Sequence, residues 1–120
     1  MATISRITLS SSTDGRGIAV AATASPGTAV HTGPTVVADY HEVWMWASNT
    51  GTTAETVIVE FGGSTPIGDH YETIIQPNET ALIVPGWTLK GNANALAVKA
   101  FSTTTNKVNI VGHINLIDGA

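Results

Sequence analysis

The four histidines of this chain, His31, His41, His70 and His113, are its most versatile chemical groups, because its 120 residues include no cysteine. Without thiolates, imidazoles and carboxylates are the ligands left for a metal ion. Two of the histidines have an acidic neighbour, in His41-Glu42 and Asp69-His70. No His-x-His pair occurs, and adjacent residues on a β-strand point to opposite faces, so neither acidic pair closes on one ion. The pattern predicts polar or interface histidines rather than a metal site.

Acid–base hydrolysis needs carboxyl groups that flank a cleft. Glu60 and Glu72 fall on separate predicted strands and read as solvent-facing or interface carboxylates. No serine stands in a Gly-x-Ser-x-Gly setting. Gly62-Gly63-Ser64-Thr65 lacks the lysine and the following helix of a phosphate-binding loop. Asp14-Gly15-Arg16-Gly17 has too few oxygen ligands around it for calcium and reads as a hairpin turn. No catalytic residue, cofactor or metal is expected, and the chain is not expected to be an enzyme. The aromatic residues Tyr40, Trp44, Trp46, Tyr71 and Trp87 carry the remaining binding chemistry. They read first as core and interface anchors, where Trp and Tyr are enriched. The alternative is a sugar-stacking platform that uses Tyr40, Trp44, Trp46 and Trp87.

The scaffold around these groups carries little charge. Only 12% of the residues are Asp, Glu, Lys or Arg, against roughly a quarter in an average soluble domain. Five basic and nine acidic side chains leave a net charge of −4. Such a surface does little to keep copies apart, so much of it is expected to be covered in a larger assembly. Arg6, Arg16, Lys90, Lys99 and Lys107 are scattered, a poor footprint for phosphate, and no nucleic-acid binding is expected. Apolar runs break within about ten residues, short of the roughly 20 that a spanning helix needs, so no membrane partner is expected. The opening Met-Ala-Thr-Ile-Ser-Arg has no signal-peptide pattern.

Val, Ile and Thr in short runs, punctuated by Gly, Pro, Asn, Asp and Ser, predict an all-β chain. Ile4–Leu9 and Gly17–Thr23 read as strands joined through Asp14-Gly15, the residues that a type I′ hairpin turn favours. Thr28–Thr32 is a short extended piece. Asp39–Ser48 places Val43, Met45 and Ala47 on one face and Trp44, Trp46 and Ser48 on the other, and both faces are largely apolar. Glu55–Phe61 and Tyr71–Gln76 follow. Thr80–Val84 is expected to stop at a type II turn on Pro85-Gly86, before a short Trp87–Lys90. Ala95–Phe101 alternates, and Lys107–Ile117 sets Val108, Ile110, Ile114 and Leu116 on one face. Gly112 in its middle predicts a bulge or a close backbone approach.

Eight to ten such strands predict a single-domain β-sandwich, most specifically a jelly roll. Residues 36–120 would form its core. Residues 1–35 would be a hairpin or arm, in the same domain or ordered on a partner. Trp44, Trp46, Trp87, Val108, Ile110, Ile114 and Leu116 are the candidate interface residues, and the strands at Asp39–Ser48 and Lys107–Ile117 are expected to be central or at subunit contacts.

Four stretches carry a likeness: Trp46-Ala-Ser-Asn-Thr50, Glu55-Thr-Val-Ile-Val-Glu-Phe-Gly-Gly63, Val84-Pro-Gly86, and Val108-Asn-Ile-Val-Gly-His-Ile-Asn-Leu-Ile117. Over about residues 36–118 the chain resembles small virion proteins encoded among the structural genes of tailed bacteriophages and prophages. That resemblance transfers no functional residues. It implies a head decoration or cement protein, made in the host cytoplasm and seated on the capsid surface; the alternative is a tail or fibre-tip module that binds host-surface glycans. The implied partners are further copies of the chain, as a homotrimer, and the major capsid protein.

Overall fold

The alternating runs become nine strands in the computed structural model, which describes residues 3–119. The outermost residues of the expected arm and core, 1, 2 and 120, lie outside the described residues. In chain order the strands are β1 (Thr3–Thr8), β2 (Ile18–Ala19), β3 (Thr28–Thr32), β4 (Tyr40–Asn49), β5 (Glu55–Phe61), β6 (His70–Ile75), β7 (Thr80–Lys90), β8 (Ala97–Ser102) and β9 (Val108–Asp118). The chain is all-β among its described residues, with two antiparallel sheets packed face to face. The front sheet has the order β1-β9-β4-β7, with β2 also on β9; the back sheet has the order β3-β8-β5-β6. Pairing nests inward, β1 with β9, β3 with β8, β4 with β7 and β5 with β6. That nesting is what a jelly-roll winding requires of a two-sheet sandwich.

Period-two alternation decides what lies between the sheets. Val43, Met45 and Ala47 of β4 meet Val57 and Val59 of β5, Val98 and Ala100 of β8, and Val108, Ile110 and Ile114 of β9 in one core. Leu9, Ile18, Val20 and Val30, all within residues 3–35, are buried in the same cluster. β4 and β9 occupy the centre of the front sheet, paired from Tyr40↔Ile117 to Asn49↔Val108. Gly112 faces Met45 in that ladder, and a Cβ on it would run into the Trp44 carbonyl oxygen. The expected close backbone approach is therefore made by β4.

Three local expectations change. Asp14 and Gly15 do have positive φ, 55° and 83°, yet the strands that flank them do not pair with each other. β1 and β2 both run antiparallel to β9, on Thr8↔His113 and Ile18↔Ile110, so they share a direction that no hairpin can join. Of the expected return strand only Ile18–Ala19 is in the ladder. Secondly, Pro85-Gly86 does not end a strand. β7 continues through it, and Gly86, at φ 79°, is the extra residue of a bulge between Val43↔Trp87 and Trp44↔Pro85. A second irregularity lies at Ile83. Proline is tolerated there because β7 is an edge strand, with no neighbour to miss its N–H. Thirdly, the second face of β4 is only half-buried, because among the described residues nothing packs over the outside of the front sheet.

Gly112→Ala should destabilise the fold by about 2 kcal/mol, because the rigid backbone of β4 leaves the new methyl no room. Gly68→Ala, which meets nothing within 4 Å, should stay within about 0.5 kcal/mol of the parent. Urea denaturation of the two variants checks the contrast.

Candidate functional site: an aromatic face on the front sheet

Alternation along β4 turns Glu42, Trp44 and Trp46 outward, and the register places Asn115, His113 and Val111 of β9 beside them. Trp44 and Trp46 have ring centroids 6.5 Å apart and planes 25° apart. His113 lies 6.3 Å from Trp44 at 15° and 6.0 Å from Trp46 at 35°. Three nearly parallel rings at nearly equal distances cannot form one column, whose end members would lie much further apart. They form a triangular cluster on the open face. Gly86 makes this possible for Trp44: a Cβ there would come within 2.8 Å of Cζ2 of the indole. The bulge glycine leaves a space on β7 that the ring fills.

A hydrogen-bonded chain holds the rings. Trp44 Nε1–H donates to Oε1 of Glu42 at 2.7 Å, and Asn115 Nδ2–H donates to the same oxygen at 2.9 Å. Arg6 on β1 donates through Nε to Asn115 Oδ1 at 3.4 Å. The bonds from Trp44 and then Asn115 hold the Glu42 carboxyl below its ordinary pKa, so it is ionised at neutral pH. His113 is pushed down, first by desolvation and then by Arg6, with Glu42 opposing, so its ring is neutral at pH 7.

The other sequence candidates lie elsewhere. Trp87 is on the inner face, edge-on to Phe61 at 5.4 Å and 4.7 Å from Tyr71, where it closes the side of the sandwich between the edge strands β6 and β7. It cannot share a platform with Trp44 and Trp46, which lie on the opposite face. Tyr40 is on their face but four residues from Trp44, roughly 13 Å along an extended strand. Val108, Ile110 and Ile114 are fully buried between the sheets, so they offer nothing to a partner, and Leu116 is half-buried on the same inner side. Their periodicity marked a core face, not an interface.

The remaining histidines and carboxylates serve the fold. His31 on β3 and His41 on β4 bridge the sheets inside the core, Nε2 to Nδ1 at 2.8 Å. The Ser10 N–H donates to Nδ1 of His31 at 3.0 Å, so that nitrogen is unprotonated and Nε2–H must donate to His41. Desolvation, then the His41 ring, lowers His31 to about 4. Glu60 is not the exposed carboxylate expected. It is fully buried, covered by residues 25–27, with Ser25 Oγ–H donating at 2.5 Å, Gly27 N–H at 2.6 Å and His70 Nε2 at 3.1 Å. Burial alone would raise its pKa, but these bonds outweigh it and the net shift is downward. Glu55, also buried, accepts from Thr104 N–H at 2.7 Å. Among the described residues no three His, Asp or Glu side chains gather as a metal site would need.

The members that sequence reasoning missed are Glu42, Asn115, His113 and Gly86. The spacing Glu42-x-Trp44-x-Trp46 was readable as one face of a strand. The β9 and β7 partners were not, because only the register names them.

The unfolded chain holds His31 at its ordinary value of 6.5 and the folded chain at about 4. Between these values the unfolded state binds a proton that the folded state refuses, so stability falls as pH drops through that window, by about 3 kcal/mol. His41, also lowered, acts in the same sense, whereas the loss at Glu60 begins only below 4.5. Urea titrations across the window should show this slope, and His31→Gln should make it shallower. Trp87→Ala should cost about 3 kcal/mol and Trp46→Ala less than about 1 kcal/mol, since only the former empties packed volume.

No family model matches this chain, and no curated protein matches it in sequence.

Proposed function

We propose that the chain is a bacteriophage virion structural protein, a decoration or cement protein that binds the outer capsid surface and stabilises the assembled head. The observation that carries this reading is an apolar end on a charge-poor sandwich. Ile4, Val36, Val37 and Tyr40 are exposed at 72%, 53%, 56% and 37%, and they gather where β1 and β4 begin and β9 ends. Ile4, Ile117 and Tyr40 lie in one row across three strands. Val36 and Val37 sit on the loop that enters β4, tied to β7 where Lys90 Nζ donates to the Val37 carbonyl at 2.8 Å. Exposed apolar groups in one place mark an interaction surface. Burial of Glu55 and Glu60 further thins the fourteen charges available to solvate the molecule.

In this reading the apolar end contacts the major capsid protein and neighbouring copies, the trimer being the arrangement that the likeness implies. Binding only the assembled lattice stabilises it by mass action. Each contact can be weak, because many copies engage at once.

The test is the location and copy number of the chain in intact particles. Many copies on the head, and heads that rupture at lower temperature without the gene, are expected. A few copies confined to the tail, or equal heat resistance without the protein, would refute the reading. A Val36→Lys, Val37→Lys double variant, which touches only exposed loop positions, should remain folded and lose most of its incorporation.

A further inference from the structure

We infer that the outer face of the front sheet binds a neutral carbohydrate, with pyranose rings lying on Trp44, Trp46 and His113 and their hydroxyls donating to Glu42. This inference does not rest on the shell reading: the rings lie further along the same outer face as Tyr40, and their binding of a carbohydrate does not depend on what the apolar end contacts.

Three features of the face point to a sugar. The first is the cluster itself: three half-buried rings with centroids 6.0 to 6.5 Å apart gather on one open face, and aromatic rings are the groups against which the C–H faces of a pyranose pack. The second is rigidity. The Trp44 indole is fixed by its bond to Glu42 at 2.7 Å and seated in the space of Gly86, so little freedom is lost on binding. The third is the acceptor. Both donors to Glu42 use Oε1, and among the described residues no bond reaches Oε2. A carboxylate oxygen without a donor, at the edge of an aromatic surface, is complementary to a sugar hydroxyl. A flat apolar partner would instead leave that ionised group desolvated and unpaired.

The same carboxylate sets the class of sugar. It repels sialic and uronic acids, and the net charge of −4 works in the same direction. His113 adds a neutral, polar-edged ring. Neutral hexose or N-acetylhexosamine units fit these groups.

The experiment is a titration of the intact chain with maltohexaose, cellohexaose and N-acetylchitohexaose, followed by the three indole N–H resonances. At least one probe should shift the Trp44 and Trp46 signals saturably, with weak, roughly millimolar affinity, and leave the Trp87 signal in place. Trp46→Ala should weaken binding at least about fivefold, and Glu42→Gln, which keeps an acceptor for Trp44 but loses the charge, about threefold. Three results overturn the inference: no saturable shift with any probe, shifts centred on Trp87, or affinity unchanged in both variants. Tighter binding of sialyllactose than of every neutral probe would overturn the assigned class.

Discussion

The ten-residue pairing of β4 with β9 is the constraint on which the rest of this molecule depends. It puts two long strands at the centre of the front sheet and commits Val43, Met45, Ala47, Ile110 and Ile114 to the core. A slip of one residue would turn one of the two strands over against the other, driving either Trp44 and Trp46 or His113 inward and the aliphatic residues of that strand out. Such a slip is opposed twice over. The core is filled by aliphatic side chains with no room for indole rings, and Gly112 alone fits against the Trp44 carbonyl. One ladder therefore fixes both the interior and the composition of the open face.

Scarcity of charge acts differently inside and outside. Inside, polar groups are few but fully engaged: His31 with His41 and Ser10, Glu60 with Ser25, Gly27 and His70, Glu55 with Thr104, and Asn49 with Gly51, Thr53 and Ile75. No buried side-chain polar atom among the described residues lacks a partner. Most of these bonds tie a strand to a loop, and that between His31 and His41 ties one sheet to the other. Outside, the same scarcity leaves apolar groups with few charges around them, and they are unevenly placed. One group closes an end of the sandwich, and another forms a rigid aromatic surface with a built-in carboxylate. The two surfaces differ in chemistry, and the functional proposals divide along that difference.

Much of the fold was legible before any coordinates. Alternation grouped Val43, Met45 and Ala47 on one face of β4 and Val108, Ile110, Ile114 and Leu116 on one face of β9, since period two is a property of the strand alone; which face lies inward came only with the packing of the sheets. Two punctuation signals misled for a shared reason. Asp14-Gly15 and Gly86 have the positive φ that their residue types allow, but positive φ fits both a chain reversal and an outward excursion or bulge. Which occurs depends on the strand that lies alongside: β9 for the first and β4 for the second. Glu60 misled similarly. Its alternation pointed away from the core, as it does, and only the distant residues 25–27 make that position buried.

The sequence by itself determined the class of fold, which residues of β4 and β9 share a face, and the scarcity of charge. These depend on residue type and on spacing within one segment. Tertiary structure alone decided which aromatic residues share a face, which histidines meet and which carboxylate stays open. Trp44 and His113 lie 69 positions apart in the chain and directly opposite in the ladder. Trp44 and Trp46 stay together while Trp87 goes to the far side, because a bulge at Gly86 shifts the facing of everything beyond it on β7. Register and bulges arise from pairing between distant segments, and no single segment encodes them.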